Sequence, residues 1–140
     1  MDERTAKLTL KHVSKTFYDK KGSYPTISDV SFDVYQNEFL VILGPGLCGK
    51  TVLLNTVAGL EEATSGQILL DGRELHGTDP SIGMVFQKKA IFPWKTVMQN
   101  VEFGPKMRGV PKSERRKTAQ KFINLVGLQT IENSFPHELS

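Results

Sequence analysis

The sequence predicts an α/β fold, and the centre of the chain provides the evidence. Residues 39–43 are a continuous run of β-prone apolar side chains, which is typical of a strand buried on both faces beneath helices. A glycine-rich loop follows over residues 44–49, and residues 51–58 have the composition of a helix that ends at Gly59. A strand, a loop and a helix in this order form one side of a βαβ unit.

Further strands are predicted on both sides of this segment. Residues 7–13 and 30–35 alternate between apolar and polar side chains, so each predicts a half-buried strand. Polar residues 16–25 predict a loop between them, and residues 36–38 predict a turn. Residues 68–70 predict a strand that turns at Asp71 and Gly72, and residues 82–86 predict a short strand that ends at Gln87.

The last third of the chain has helical character. Thr96 and Gln99 match a capping box for a short helix, which Gly104 and Pro105 are expected to end. Ser113 is a candidate cap for a longer helix that ends at Gly127. The apolar residues of that longer helix fall at helical spacing, namely Ala119, Phe122, Ile123 and Val126.

Composition excludes several classes of protein. With 39% hydrophobic and 24% charged residues, the 140-residue chain has the balance of a folded globular protein. Its net charge of +3 is too small to predict nucleic acid as a partner. The longest apolar run is far shorter than the ~20 residues of a membrane span. The single cysteine, Cys48, excludes an internal disulfide and is compatible with the cytoplasm, and the polar N-terminus predicts no secretory signal.

Residues 44–51 read GPGLCGKT and match the phosphate-binding pattern G-x-x-x-x-G-K-[ST]. Glycines let backbone N–H groups approach a phosphate closely, and the next helix adds the positive end of its dipole. In this pattern Lys50 reaches the β- and γ-phosphates, and the Thr51 hydroxyl coordinates Mg²⁺. The sequence therefore predicts an α/β P-loop fold that binds ATP or GTP through Gly44, Pro45, Gly46, Leu47, Cys48, Gly49, Lys50, Thr51 and Val52.

Short segments spread along nearly the whole chain form one ordered set. They are VSKTF at 13–17, DVSF at 29–32, EF at 38–39, AGL at 58–60, SGQI at 65–68, DG at 71–72, GMVFQ at 83–87, FPW at 92–94, NV at 100–101 and FPHELS at 135–140. In this order they resemble the ATP-binding subunit of an ABC transporter. The resemblance implies an incomplete ABC-type ATPase domain: a partial ATP-binding core with an antiparallel β subdomain over residues 1–95, and the beginning of a helical subdomain over residues 96–140.

The resemblance also implies roles for single residues. Phe17, or alternatively Tyr18, occupies the place of an aromatic that stacks on adenine, although a strand-end core aromatic is the other interpretation. Gln87 occupies the place of a glutamine that contacts Mg²⁺ and the attacking water, so Gln87 and Lys50 are the catalytic candidates. Leu139 and Ser140 match the start of the Leu-Ser-Gly-Gly signature. Ser140 is therefore expected to contact the nucleotide of the opposite subunit in a head-to-tail dimer.

Two departures from the family pattern are visible. Leucine stands at position 47, where the family usually has glycine, and a left-handed backbone costs a leucine about 1–2 kcal/mol. Gly46 is expected to absorb that strain. The acidic and histidine residues that the family places after its signature do not occur within the 140 residues, so we expect this chain alone to lack turnover.

The resemblance further implies a transport role. It is greatest to importers of nitrate, sulfonates or taurine, in which hydrolysis of MgATP powers transport of a small solute. The expected partners are a membrane-spanning permease subunit, a second nucleotide-binding subunit and, indirectly, an extracytoplasmic solute-binding protein, with the chain on the inner face of the membrane. Two alternatives stay open: a P-loop small-molecule kinase, and a fragment that binds nucleotide or a partner without turnover.

An apolar cluster at residues 91–94 is the candidate contact with the permease. Exposed aromatic side chains rimmed by cations suit a protein interface, and a buried hinge between subdomains is the alternative. The rim consists of Lys88, Lys89 and Lys95.

Overall fold

The computed structural model describes residues 5–87 and 90–139, which form two compact units. The first unit lies within Met1–Met84 and contains an antiparallel sheet and a helix. The second lies within Val85–Ser140 and contains short helices. No helix in the described segments is long and apolar enough to cross a membrane. The functional division at residue 95 stays a prediction.

The described sheet has four strands, each antiparallel to its neighbour, in the order β2-β1-β3-β4. The strands are β1 Ala6–Asp19, β2 Gly22–Tyr35, β3 Ser65–Leu70 and β4 Arg73–Glu74. The strands predicted at residues 7–13, 30–35 and 68–70 are therefore confirmed. The turn at Asp71 and Gly72 is confirmed as well, with φ angles of 51° and 75°.

The loop predicted over residues 16–25 is wrong, because β1 and β2 continue as a hairpin as far as Asp19 and Gly22. The Asp19 carboxylate closes the turn by accepting hydrogen bonds from the N–H groups of Lys21 and Gly22, at 2.6 and 3.1 Å. Higher up the hairpin, Phe17 lies opposite Tyr24, and such cross-strand aromatic pairs contribute ~0.2–1 kcal/mol. Pairing between strands therefore outweighs a polar composition that favours a loop.

The core of the first unit joins the sheet to helix α1 Lys50–Val57. Burial of each large aliphatic side chain stabilises the fold by ~1.5–3 kcal/mol. The helix confirms the prediction and ends at Gly59, where φ is 70° and a Cβ would lie 1.8 Å from the Gly77 carbonyl oxygen. The buried core residues are Leu10 and Val13 of β1, Ile27 of β2, Leu53 of α1 and Ile68 of β3.

Residues 39–43 do not form the predicted buried strand, and residues 82–86 do not form a strand either. Phe39 is 90% exposed and Leu43 is 86% exposed, although Ile42 packs against the core. A strand is stable when its N–H and C=O groups pair with a neighbour, and no described strand runs beside either segment. Within the described residues, the apolar run therefore remains on the surface.

The second unit has a smaller core made by helices α2 Val97–Val101 and α4 Lys112–Leu125, with α3 Phe103–Met107 between them. The predicted capping box is confirmed at the start of α2. The Gln99 N–H donates to Thr96 Oγ1 at 3.3 Å, and Gln99 Oε1 accepts from the Thr96 N–H at 3.1 Å. The buried side chains are Val97, Met98, Ala119 and Ile123.

The predicted end of the short helix is wrong. Gly104 and Pro105 lie inside the next helix, α3, and do not end α2. A proline in the first turn of a helix gives up no intrahelical hydrogen bond, so Pro105 is tolerated there.

The predicted start of the long helix is also wrong, because Pro111 is the residue that precedes α4 and Ser113 lies inside its first turn. The end at Gly127 is confirmed, with a φ of 74°. Of the four residues predicted to share the apolar face, Phe122 and Val126 are largely exposed. The apolar stripe of α4 is therefore narrower than its sequence pattern suggests.

Asp79 organises the turn that follows β4. Its Oδ1 accepts hydrogen bonds from the Ser81 hydroxyl and N–H at 2.6 and 2.9 Å, and its Oδ2 accepts from Arg73 Nη2 at 2.6 Å. These hydrogen bonds, those of Ser81 above all, lower the pKa of the Asp79 carboxyl to about 2. The carboxylate form is therefore the one that the folded chain favours.

We predict that Asp79→Asn destabilises the fold at neutral pH and that the difference from wild type shrinks in acid. Because the pKa is lower in the folded chain than in the unfolded chain, the stabilisation is full above pH ~4 and is lost as the pH falls toward 2. Urea unfolding from pH 7 to pH 2 measures the difference. Ser81→Ala is expected to show a weaker form of the same pH dependence, and a difference that stays constant over this range contradicts the assignment.

Candidate functional site

The loop between residues 44 and 49 has the backbone geometry of an anion-binding nest. Leu47 and Gly49 have φ angles of 64° and 90°. The residue before each of them, Gly46 and Cys48 respectively, does not have a positive φ. An alternation of negative and positive φ angles turns successive N–H groups toward the same side of the chain. The loop that the glycine-rich motif predicts is thus present.

The N–H groups along this loop are available to a ligand. From residue 46 to residue 52 they donate no hydrogen bond to any described residue, and the first bond of α1 runs from the Leu53 N–H to the Gly49 carbonyl at 2.8 Å. The first turn of α1 carries no acidic side chain. The positive end of the helix dipole and the free N–H groups therefore act on the same space.

The Lys50 ammonium lies across the loop. Its Nζ donates to the carbonyl oxygens of Gly44 and Pro45 at 2.8 and 2.6 Å, and Cys48 Sγ is 3.4 Å away. No carboxylate of a described residue pairs with this ammonium. Lys50 thus has only neutral partners, which the oxygens of an anion would replace with stronger, charge-assisted hydrogen bonds.

A bulge in β2 positions the C-terminal end of the loop. Lys15 pairs with Ile27 and Thr16 pairs with Pro25, so Thr26 is an extra residue between the two pairs. A Cβ at Gly49 would lie 2.7 Å from the Thr26 carbonyl oxygen. Thr26 is not recognisable from the sequence, because a bulge depends on the register of two strands and leaves no local pattern.

Phe17 lies on the strand next to this bulge. It pairs with Tyr24, which lies two residues before Thr26 on the neighbouring strand. Phe17 is therefore about one strand spacing and two residue rises from Thr26, the residue that contacts the loop. The residue is 37% exposed, and the Lys15 ammonium lies over its ring, 4.8 Å from the centroid. Phe17 is thus an accessible aromatic close to the loop rather than a core residue, and Tyr18 is more exposed still.

The cavity next to the loop is small. It measures about 240 Å³ and is lined by Thr26, Ile42, Cys48 and Leu53 among others. Pockets that hold drug-sized ligands measure about 300–1,000 Å³. A larger cavity of about 560 Å³ is lined by Glu61, Glu62 and Glu74, and these carboxylates repel phosphate.

The remaining predicted site residues are only partly placed. Thr51 and Val52 are in the first turn of α1, and Thr51 is exposed. Gln87 is exposed and belongs to the second unit. Lys88, Lys89 and Ser140 lie outside the described residues. Within the described part of the chain, no group of three or more His, Cys, Asp or Glu residues is arranged to hold a metal ion.

A second candidate surface lies in the second unit, where one amide fixes an exposed aromatic segment. Asn100 Oδ1 accepts from the Phe92 N–H at 2.8 Å, and its Nδ2 donates to the carbonyls of Phe92, Lys95 and Thr96 at 3.1, 2.9 and 2.9 Å. The rings of Phe92 and Phe103 pack 4.5 Å apart. Trp94 is nevertheless 69% exposed, so the segment is rigidly held and still accessible.

A basic groove of about 370 Å³ begins at Trp94. Glu102 and Arg115 are both mostly buried there, and their Oε2 and Nε atoms are 3.8 Å apart. This one carboxylate is opposed by five cations, so the groove is electropositive and suits an acidic partner. The cations are Lys95, Lys106, Lys112, Arg115 and Arg116.

Comparison with known proteins places the chain among ATP-binding cassettes. An uncharacterized ABC transporter ATP-binding protein of Methanocaldococcus jannaschii is 42% identical over 139 residues, which cover 99% of this chain and 52% of the relative. A taurine import ATP-binding protein of Roseobacter denitrificans is 42% identical over 134 residues, 95% of this chain and 50% of its own length. A nitrate import ATP-binding protein of Synechocystis is 38% identical over 133 residues, again 95% and 50%. The chain thus spans about half the length of these relatives.

Solved structures confirm the predicted fold class. A dimeric ATP-binding cassette bound to ADP and Pi superposes with a TM-score of 0.83 at 27% identity, over 95% of this chain and 63% of that one. A dimeric bacterial ABC transporter cassette gives the same values. A sequence model described as ABC transporter matches residues 27–140, and the chain therefore belongs to the ABC transporter family.

Proposed function

We propose that the chain is part of the ATP-binding subunit of an ABC importer, which binds and hydrolyses MgATP to power transport of a small solute. The observation that carries this proposal is the nest at residues 44–49 with its free N–H groups and the Lys50 ammonium. Phosphates are the anions for which such a loop is built. Family membership supports ATP as their source.

Each site residue has a proposed part in binding. The N–H groups from Gly46 to Val52 surround the β- and γ-phosphates, with the backbone of Gly44 and Pro45 at the entrance to the loop. Lys50 exchanges its carbonyl partners for phosphate oxygens. Phe17 stacks on adenine, for which its position beside the loop and its exposure are suitable.

The chain offers oxygen atoms that suit Mg²⁺ as ligands. The ion prefers oxygen ligands and keeps phosphate oxygens and waters around it, so the exposed Thr51 hydroxyl at the start of α1 is a suitable protein ligand. We propose the Gln87 amide oxygen as a second ligand. When bound, the ion neutralises charge on the phosphates. Lys50 and Gln87 are the residues proposed to act in catalysis, Lys50 by stabilising phosphate charge and Gln87 by orienting water.

The transported solute is proposed from the relatives. Proteins named for taurine import and for nitrate import match this chain over nearly its whole length. Nitrate, a sulfonate or taurine is therefore the proposed class of solute. The chain itself would act on ATP, with the solute bound by the extracytoplasmic and membrane subunits.

The proposed partners follow from the exposed surfaces. The Trp94 segment and the basic groove suit a segment of a membrane-spanning permease that carries acidic side chains. A second nucleotide-binding subunit is proposed in a head-to-tail dimer, with Ser140 contacting its nucleotide, and solved relatives are dimeric. We propose that the chain lies on the inner face of the membrane.

We predict that Lys50→Ala weakens MgATP binding at least about tenfold, because it removes charge-assisted hydrogen bonds worth ~1.5–3 kcal/mol. Isothermal titration calorimetry measures the dissociation constant. Lys121→Ala on α4 is the matched control, since it removes the same charge and is expected to leave the affinity unchanged. Equal affinities for wild type and Lys50→Ala would refute the assignment of the loop.

We also predict that MgATP protects Cys48 from maleimide. The thiol is exposed and lies 3.4 Å from the Lys50 ammonium, so a nucleotide on the loop covers it. At a ten-fold excess of MgATP over its dissociation constant, labelling should slow about tenfold. Labelling in urea should be the same with and without MgATP. A folded chain labelled at one rate under both conditions would show that Cys48 does not line the site.

Docking on the permease is tested with Trp94→Ala in the full-length subunit. Exposed tryptophans at interface centres contribute at least ~2 kcal/mol, so retention on proteoliposomes that contain the cognate permease should fall at least about tenfold. The matched control is Phe122→Ala, which removes another exposed aromatic of the second unit, outside the groove. MgATP affinity should stay unchanged in both variants, and equal retention of wild type and Trp94→Ala would exclude this surface.

A further inference from the structure

Leu47 combines a left-handed backbone with a side chain that has no packing role. Its φ is 64°, and the side chain is fully exposed on the outside of the loop. A left-handed conformation brings the Cβ of an L-residue close to the following carbonyl oxygen, so it is unfavourable for leucine. No burial compensates for this strain locally.

The neighbouring glycine does not relieve the strain, contrary to the sequence-based expectation. Gly46 does not have a positive φ, and a Cβ built on it would meet no atom within 4 Å. Gly46, which could adopt a positive φ without strain, does not adopt one, whereas Leu47, for which a positive φ is unfavourable, does.

The loop is free to leave the strained conformation. The N–H groups of residues 46–49 bind no described residue, and the polar contacts across the loop are those of the Lys50 ammonium with Gly44, Pro45 and Cys48. If Leu47 relaxes to a negative φ, the alternation that forms the nest is lost. A ligand that needs the nest then binds only the fraction of molecules in which Leu47 is left-handed.

We propose that Leu47 is a positioning residue that lowers nucleotide affinity by making the nest costly to form. The inference rests on the proposed function and deepens it. Left-handed strain at a leucine corresponds to about a five- to thirty-fold reduction in the equilibrium constant for forming the nest. Glycine at this position removes the strain, although its freedom in the open loop offsets about two- to fivefold of that gain.

The test is the MgATP dissociation constant of Leu47→Gly, which should be about fourfold lower than that of wild type, the middle of the range that the two opposing effects leave. Leu47→Ala should leave the affinity near the wild-type value, because it removes the side chain and keeps the Cβ that causes the strain. Gly46→Ala should also have little effect, since the space around Gly46 is open.

The urea midpoint of the nucleotide-free chain is measured in parallel. If Leu47→Gly raises this midpoint and leaves the affinity unchanged, the strain is present in bound and free states alike and the proposal is wrong. If Leu47→Ala tightens binding as much as Leu47→Gly, the leucine side chain and not the backbone is responsible, which also overturns it. Failure of the wild-type chain to bind MgATP would instead refute the proposed function.

Discussion

The geometry of the site depends on the close approach of Gly49 to the Thr26 carbonyl. A side chain at position 49 would collide with that oxygen, and the residue is also left-handed. The contact seats the start of α1 on β2, and one turn later Leu53 is buried in the core that Ile27 shares. Because the loop's C-terminal end is fixed in this way, the N–H groups of α1 and the Lys50 side chain are directed to one place. The bulge at Thr26 is therefore as much part of the site as the glycine-rich motif.

Features that depend on chemistry local in the sequence could be predicted, and features that depend on pairing between distant segments could not. The loop and α1, the capping box at Thr96 and the turn at Asp71 follow from chemistry that is local in sequence. The bulge at Thr26 and the length of the β1–β2 hairpin depend on register between strands, which no single segment encodes. The prediction of a buried strand at residues 39–43 is wrong for a related reason. Its apolar pattern indicates what the segment can bury, whereas strand formation also needs a hydrogen-bonded neighbour.

The two exposed apolar segments differ in what holds them. Residues 39–43 pair with no described strand, and Phe39 and Leu43 are exposed to solvent. The segment around Trp94 is instead held by four hydrogen bonds to the Asn100 amide. An exposed aromatic side chain whose backbone is already fixed by hydrogen bonds loses little conformational entropy on binding. Trp94, held in place and accessible beside cations, therefore has the character of an interface, whereas no comparable hydrogen bonds to described residues hold Phe39 and Leu43.

At Leu47, inside the site, the conformation that the residue itself favours differs from the one that the surrounding contacts favour. Local propensity favours the left-handed turn at Gly46, one residue earlier, and disfavours it at Leu47 by about 1–2 kcal/mol. The structure nevertheless has the turn at Leu47. The contact of Gly49 with Thr26, the burial of Leu53, worth ~1.5–3 kcal/mol, and the Lys50 hydrogen bonds to Gly44 and Pro45 all favour the turn at this position. They act against a strain of similar size, so a single Cβ at position 47 can change the population of the binding conformation.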